Sequence, residues 1–363
     1  MVVLGGSGYV AGELLRLLAG HPAFRLAAVV SESRAGERVT AAFPHLAGTG
    51  FDDVVFTGTS GGDGAGESLR RLVTAFPSLG IFSALPHGEA AGRIDALLAL
   101  AEAAGCDARV VDLSADFRHR DPARYAAIYG RPHGAPARLA EFRCALPELE
   151  RDGAAGSPAR HVAHPGCFTT AVTLALAPLL AGGWIEPRAT VVAITGSTGA
   201  GRTPVATTHH PERRSDLFAY APLAHRHEPE MRALLAACGG DGGEPEITFL
   251  PHSGPFARGI HATITARLKR SATATEVAAG MSSFYGGPSS SFVRVLDAPP
   301  RLQSVVGTNR CDLSVAVRGD QVVAFSVLDN LVKGAAGGAV QWMNRLLGLS
   351  DAAGLALPGL GWL

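Results

Sequence analysis

The chain has 363 residues, 47% of them hydrophobic and 18% charged, with 32 basic side chains balanced by 32 acidic ones. That length suits two domains or one large one with a sizeable core, and the even charge balance supplies no global field to recruit nucleic acid or an anionic membrane. The five cysteines, at 106, 144, 167, 238 and 311, include no CxxC pair, which speaks against a disulfide framework or a zinc site and for a reducing compartment. The longest apolar run is interrupted by Pro178 and Gly182-Gly183, so a membrane span is not expected. The first residues lack the basic segment and cleavage site of a signal peptide, and the cytoplasm is the expected location.

MVVL followed by GGSGYVAGELLRLLAG reads as a β run, a glycine-rich turn and an amphipathic helix, the opening of a dinucleotide-binding βαβ unit. Gly5 and Gly8 permit a tight turn and a close backbone approach. The N–H groups of Ser7, Gly8, Tyr9 and Val10 are candidates for the pyrophosphate oxygens. The spacing is GxxGxxAG rather than GxGxxG, and so short an opening strand places the expected true start a few residues upstream. A second strand, FRLAAVV, ends in Ser31-Glu32-Ser33-Arg34. The hydroxyls of Ser31 and Ser33 and the guanidinium of Arg34 suit the 2′-phosphate of NADP, whereas an inward Glu32 would suit the ribose hydroxyl of NAD. NADP(H) is the expected cofactor.

Further strands follow at α/β spacing: DVVF, LGIFSALPHG and ARVVDLSADFR. The last two are apolar runs ending in polar residues, as buried parallel strands do where they present function. Residues 84–88 and 114–118 are therefore expected where cofactor and substrate meet. Residues 61–66 read as a flexible surface segment without a role.

In HVAHPGCFTTAVTLALAPLL, residues 161–180, the Pro165-Gly166 pair breaks what precedes it and the apolar run after it reads as a helix. Cys167 then stands at a helix N-terminus, where unpaired N–H groups favour a thiolate; the plainer reading is a small buried hydrophobe. A helix terminus contributes at most roughly 2 kcal/mol, less than about 1.5 pKa units, so full activation needs an imidazolium nearby.

The second half turns to longer strands, RATVVAITG, LFAYAPL, EITFLPH, RGIHATITARL, FVRVL and CDLSVAVRGDQVVAFSVLDN, which predict a mostly antiparallel or mixed sheet with helices on one face. Arg318-Gly319-Asp320-Gln321 marks a hairpin. NLVKGAAGGAVQWMNRLLG is a helix expected to return to the nucleotide domain. Histidines cluster here: His209 and His210 in THHPERR, then His225, His227 and Glu230 in HRHEPE. Neither group has HExxH spacing, and in an extended segment His225 and His227 would face opposite sides, so no metal is expected. One imidazole serves better as acid and base beside a thiol, with Glu230 orienting it or a neighbouring arginine. His209 and His210 read as surface or outer residues.

GGSGYVAGELL, ALPHG, VVDLSADFR, ALPEL, HPGC, TGSTGAGR, HRHEPE, PHSGPFARGI, GTNRCD and DNLVKGAAGGAVQ, in this order across nearly the whole chain, resemble the N-acetyl-γ-glutamyl-phosphate reductase family. The resemblance implies an α/β fold: a Rossmann NADP-binding domain (residues 1–163 and 329–363) plus an α/β catalytic and dimerisation domain (164–328) of the glyceraldehyde-3-phosphate and aspartate-semialdehyde dehydrogenase type. A homodimer or homotetramer is implied with it. The implied activity is NADPH-dependent reduction of an amino-blocked acyl phosphate to the semialdehyde. By motif, Cys167 is the nucleophile, His227 the preferred acid/base with His225 second, and Asn330 a cofactor contact closing the nicotinamide site. Arg118, Arg202 and Arg258 are candidates to hold phosphate or carboxylate.

THHPERRSDLFAYAP and the tail GLALPGL look more like the sister branch that reduces aminoadipyl or glutamyl phosphate borne on a small acidic amino-group carrier protein, whereas HPGC is the arginine-type form. The carrier-linked substrate is slightly preferred here, with N-acetyl-γ-glutamyl phosphate the alternative. Arg213, Arg214 and the nearby histidines would form a basic rim for the carrier. Two further alternatives are an aspartate-semialdehyde dehydrogenase and a silent NADP-binding or carrier-docking protein; the retention of Cys167 with both HRH histidines speaks against the latter.

Overall fold

The computed structural model describes residues 1–58, 65–150, 160–238, 243–287 and 290–361; residues 61–64 of the glycine-rich stretch lie outside them. The chain divides into two compact units: Met1–Cys144, Ala155–His164 and Ala339–Leu355 form the first, and Ala145–Ala154, Pro165–Gly338 and Ala356–Leu363 the second. Relative to the boundaries expected from sequence, the second unit gains the ALPEL segment, the DNLVKGAAG segment and the final residues.

In the first unit, β1 (Val2–Leu4), β2 (Ala28–Val30), β3 (Phe56–Thr57), β4 (Ser78–Ser83), β5 (Asp107–Asp112), β6 (Phe142–Cys144) and β7 (His161–Ala163) form one sheet. Its order is β3-β2-β1-β4-β5-β7-β6, and every pairing between these strands is parallel. Parallel strands need crossovers, which α1 (Tyr9–Ala19), α2 (Val39–Ala42), α3 (Ala65–Ala75), α4 (Ala90–Ala104) and α5 (Pro122–Tyr129) help to supply. The strands at the centre are apolar because both faces are covered: Val2, Val3, Leu4, Ile81, Phe82, Val110 and Val111 are all buried. The order reverses direction at β1, which opens a crevice beyond the carboxyl ends of β1 and β4.

FRLAAVV pairs only from Ala28 onward. Its first half is consumed elsewhere, the Phe24 N–H donating to His21 Nδ1 at 3.0 Å and the Ala27 N–H to the Met1 carbonyl at 2.8 Å. The short strands β6 and β7 carry too few residues to announce themselves in sequence. ALPHG and SADFR are fastened to each other: the buried Asp116 carboxylate accepts the N–H groups of Gly88 (2.7 Å) and Ala91 (3.0 Å), and His87 Nδ1 accepts that of Ala115 (2.9 Å). Asp116 thereby satisfies the otherwise orphaned start of α4.

The second unit holds β8 (Ile185–Thr195), β9 (Phe218–Ala219), β10 (Glu246–Ser253), β11 (Ile260–Leu268), β12 (Val293–Val295), β13 (Cys311–Arg318) and β14 (Gln321–Leu328), in the order β12-β13-β14-β11-β8-β10-β9. The sheet is mixed, with β8–β10 and β12–β13 parallel and the other pairs antiparallel. The expected hairpin joins β13 to β14 with Arg318 opposite Gln321 and Gly319 at φ +61°. The helices of this unit are α6 (Cys167–Ala181), α7 (His210–Arg213), α8 (Glu228–Ala236) and α9 (Ala274–Phe284); a five-residue π turn, Val332–Ala336, leads into α10 (Gly337–Leu346), whose residues from Ala339 belong to the first unit. Along β8, Ala189, Val191 and Ala193 are buried while Val192 is exposed, the alternation of a sheet packed on one face only.

Helix α6 is the centre of this core, buried at every position from Phe168 to Leu180 and packed on β8, β11, β14, α8 and α9. It runs through Pro178 and ends at Gly182-Gly183. A proline removes the N–H that would bond the carbonyl four residues earlier, here that of Leu174. The Tyr285 hydroxyl, itself buried, donates to that carbonyl at 2.5 Å. The tolerance of proline in an apolar helix thus depends on one phenol. Among the described residues no helix is long and apolar enough to cross a membrane. Tyr285→Phe strands the Leu174 carbonyl and is expected to lower the unfolding free energy by about 1–3 kcal/mol, measurable as a reduced urea midpoint at unchanged m-value.

Candidate active site

Cys167 is the first residue of α6, and Gly166 is its N-cap in extended conformation, so the Pro-Gly break and apolar run put the thiol where the sequence suggests. Of the other thiols, Cys106 and Cys311 are buried, and burial raises both, Cys311 to about 12. Such groups stay protonated and inert. Cys167 is half-buried and opens onto a cavity of about 390 Å³ that it shares with Thr195, Thr208, Tyr220, His225, His227 and Ser253.

Both HRH histidines reach this cavity. The segment is a turn rather than extended, so the opposite-sided arrangement of an extended chain does not arise: the Glu228 N–H donates to the His225 carbonyl at 3.0 Å, and His227, the N-cap of α8, has φ −80° and ψ −18°. The rings lie 4.6 Å apart at 76°. His225 Nδ1 accepts the His227 backbone N–H at 3.1 Å, and burial, then the Arg226 charge, pushes His225 down to about 4. His225 is therefore a neutral prop at physiological pH. The His227 ring lies against Gly166; a Cβ there would overlap it, and one on Gly334 would stand 2.7 Å from Cys167 Cβ. Glycine at these positions lets imidazole and π turn close around the start of α6.

The buried Glu230, in the first turn of α8, accepts the Gly166 N–H at 3.0 Å and the Thr169 hydroxyl at 2.9 Å. A carboxylate thus already occupies part of the positive end of α6, and the field available to a thiolate is reduced. That increases the share of activation falling to an imidazolium.

Tyr220 was not foreseen, since LFAYAPL reads as one strand. Only Phe218–Ala219 pairs as β9, and the chain then turns through Ala221 (φ 44°) and Leu223 (φ 60°), backbone that non-glycine residues adopt at a cost. The turn delivers Tyr220 and His225 to the cavity, ring centroids 5.5 Å apart. Burial, then the Cys167 charge, holds the Tyr220 phenol above its ordinary range, leaving it a neutral donor.

Several residues expected to contact ligands also make bonds within their own unit. Asn330 Oδ1 accepts the Gly259 N–H at 2.6 Å and its Nδ2 donates to Thr198 Oγ1 at 3.0 Å, tying TGSTGAGR to PFARGI. Arg258 pairs with the buried Asp329 at 2.9 Å. Arg118, in the first unit, donates to the carbonyls of His164 (2.9 Å) and Leu113 (2.8 Å). Arg202 follows the 3₁₀ turn Ser197–Ala200 and is half-buried. Arg213 is buried, bonding the carbonyls of Asp216 and Ser253, so it belongs to no surface rim; Arg214, His209 and His210 are exposed.

The first unit has its own cavity, about 500 Å³, at the crevice beyond β1 and β4, lined by Gly5, Ser7, Ser31, Glu32, Ser33, Pro86 and Arg93 among others. Gly5 has φ +74°, and a Cβ on it would lie 2.6 Å from the Ala84 backbone. Nothing lies within 4 Å of where a Cβ on Gly8, the N-cap of α1, would stand, so the space beside the start of α1 is open at that residue. These features fit a dinucleotide: a helix start for pyrophosphate and hydroxyls at the end of β2. Arg34 instead pairs with Glu37 at 2.8 Å.

A parallel nucleotide-binding unit joined to a unit with a cysteine–histidine cavity defines a semialdehyde dehydrogenase. The model of the semialdehyde dehydrogenase NAD binding domain matches residues 1–61 and that of the semialdehyde dehydrogenase dimerisation domain residues 167–330. Solved structures of similar fold include aspartate semialdehyde dehydrogenase II of Vibrio cholerae (TM-score 0.65, 16% identity, 96% of this chain and 97% of that one) and the Candida albicans enzyme with NADP (TM-score 0.64, 16%, 97% and 98%). Much nearer in sequence are the N-acetyl-gamma-glutamyl-phosphate reductases of Dehalococcoides mccartyi strain 195 (41% identical, 98% of each chain) and Alkalilimnicola ehrlichii (41%, 99% of this chain and 98% of that one). The chain belongs to the N-acetyl-γ-glutamyl-phosphate reductase family, and it is an oxidoreductase of the phosphorylating semialdehyde dehydrogenase type.

Gly166→Ala should displace the His227 ring and lower kcat by about 10²-fold or more in steady-state assays, with the circular dichroism spectrum retained. His225, depressed in the folded state, contributes stability fully present above pH 6.5 and lost as pH falls towards about 4. His225→Asn keeps an acceptor without the titration, so the wild-type advantage in urea unfolding should shrink through that window by at most about 3 kcal/mol.

Proposed function

We propose that this chain reduces N-acetyl-γ-glutamyl phosphate to its semialdehyde with NADPH through a thioester on Cys167. The observation that carries the reading is Cys167 at the start of α6 with the His227 ring against Gly166 in the same cavity. His227 takes the thiol proton, and the Cys167 thiolate attacks the acyl carbonyl. N–H groups at the start of α6 and the neutral Tyr220 phenol steady the oxyanion. Phosphate leaves, and Cys167 holds the thioester. NADPH, which Ser7, Ser31 and Ser33 of the first-unit crevice would hold, would supply the hydride that reduces the thioester. The thiohemiacetal alkoxide formed by hydride addition collapses to the aldehyde as its C–S bond breaks, and His227 returns its proton to the departing Cys167 sulfur, with His225 and Glu230 keeping the imidazole and the helix start in place.

The substrate reading moves from the carrier-linked acyl group to the free acetylated one for two reasons. The relatives of about 40% identity bear the acetyl-substrate name, and Arg213, one of the two arginines of the expected basic rim, is buried. NADPH is favoured over NADH by the hydroxyls of Ser31 and Ser33 in the cavity lining. The open face of the second sheet, with Thr190 and Val192 exposed, suits a homodimer. Five free cysteines fit a reducing cytoplasm.

Cys167→Ser is expected to abolish reduction while NADPH binding survives, and mass spectrometry of enzyme held with substrate but no nucleotide should show the acyl group on Cys167. Turnover in the serine variant, or an unmodified thiol in an active preparation, would remove the thioester. His227→Ala should lower kcat by about 10²–10⁴-fold. Comparison of free N-acetyl-glutamyl phosphate with carrier-bound glutamyl and aminoadipyl phosphates decides the substrate; about tenfold preference, roughly 1.4 kcal/mol, for a carrier-bound form would reverse the choice.

A further inference from the structure

Resting on the NADPH reading, we propose that Arg93, on the helix after β4, is the residue that grips the cofactor's 2′-phosphate, and that Glu32 holds it ready. The crevice of the first unit ends, on the β2 side, in Ser31, Glu32 and Ser33, and Arg93 lines the same space from α4. Arg93 Nη1 stands 2.9 Å from Glu32 Oε1, although the two residues are 61 positions apart in sequence. The side chains are 40% and 33% exposed. An ion pair in that setting is weak and gives way readily to a better partner.

A phosphate dianion is such a partner, because the planar guanidinium offers it two parallel N–H donors. Ser31 Oγ and Ser33 Oγ, 3.4 Å apart, add hydroxyls on the same side. Leu69, Leu97 and Leu100 supply an apolar wall suited to the adenine. Glu32 standing alone would repel the phosphate and accept the ribose hydroxyl of NAD instead; beside Arg93 its charge is balanced. The arginine adjacent in sequence, Arg34, pairs with Glu37 and is not among the residues lining the cavity. Cofactor choice at the end of β2 is therefore read by a side chain brought in from another crossover helix.

Calorimetric titration of the full chain with 2′,5′-ADP and with 5′-AMP isolates the 2′-phosphate. The wild type should prefer 2′,5′-ADP. Arg93→Ala should lose about tenfold or more of that affinity and keep its 5′-AMP affinity, and Arg93→Lys should recover part of the loss. In parallel, the ratio of kcat/KM for NADPH over NADH should fall in Arg93→Ala. Undiminished 2′,5′-ADP affinity in Arg93→Ala, or equal loss for both nucleotides, overturns the assignment while leaving the NADPH reading intact. A wild type that binds both nucleotides equally overturns the two together.

Discussion

The start of helix α6 is the constraint on which the second unit depends. A wholly buried apolar helix cannot shift without disturbing the core around it, so whatever stands at its first position is held as rigidly as the core itself. Cys167 has that position. Glu230 clamps the preceding N–H and the Thr169 hydroxyl, His227 lies over Gly166, and Gly334 closes from the other side. Two glycines and one carboxylate thus fix the position of a thiol at the start of a packed helix.

The same clamp shapes the electrostatics. A helix start is often credited with activating a cysteine, yet here Glu230 draws on that field. The neutral His225 contributes geometry, supporting the His227 backbone through Nδ1, and its low proton affinity follows from burial. The two histidines, two residues apart and chemically identical, differ in what they touch: His225 meets the His227 backbone and feels the Arg226 charge, and the His227 ring lies against Gly166.

The recurring motifs of the chain act largely on one another. Asp116 of SADFR caps the helix after ALPHG. Asn330 of DNLVKG joins TGSTGAGR to PFARGI, and Arg258 answers the charge of buried Asp329. Lys333 and Glu148, both buried, pair at 2.5 Å, linking the DNLVKG and ALPEL motifs. Buried charges and amides must be satisfied inside the protein, so a polar residue in a motif is as readily a brace for the loop that carries the chemistry as a ligand.

The opening strand, glycine-rich turn and helix of the first unit, the order of its first five strands, the helix after Pro165-Gly166 with Cys167 at its start, and the β13–β14 hairpin were legible in the sequence, because each rests on local signals: apolar periodicity, glycine and proline breaks, and a thiol behind a turn. The short strands β6 and β7 escaped because, unlike the equally short β1 and β2, they lie in no longer apolar run and beside no glycine-rich turn that opens a βαβ unit. Tertiary structure alone decided that His225 and His227 share a cavity, that Tyr220 joins them through a left-handed turn, that Tyr285 answers the carbonyl freed by Pro178, and that Arg93 meets Glu32. Each of these is a contact between residues whose proximity depends on how separate elements pack, and sequence spacing encodes only the neighbours along the chain.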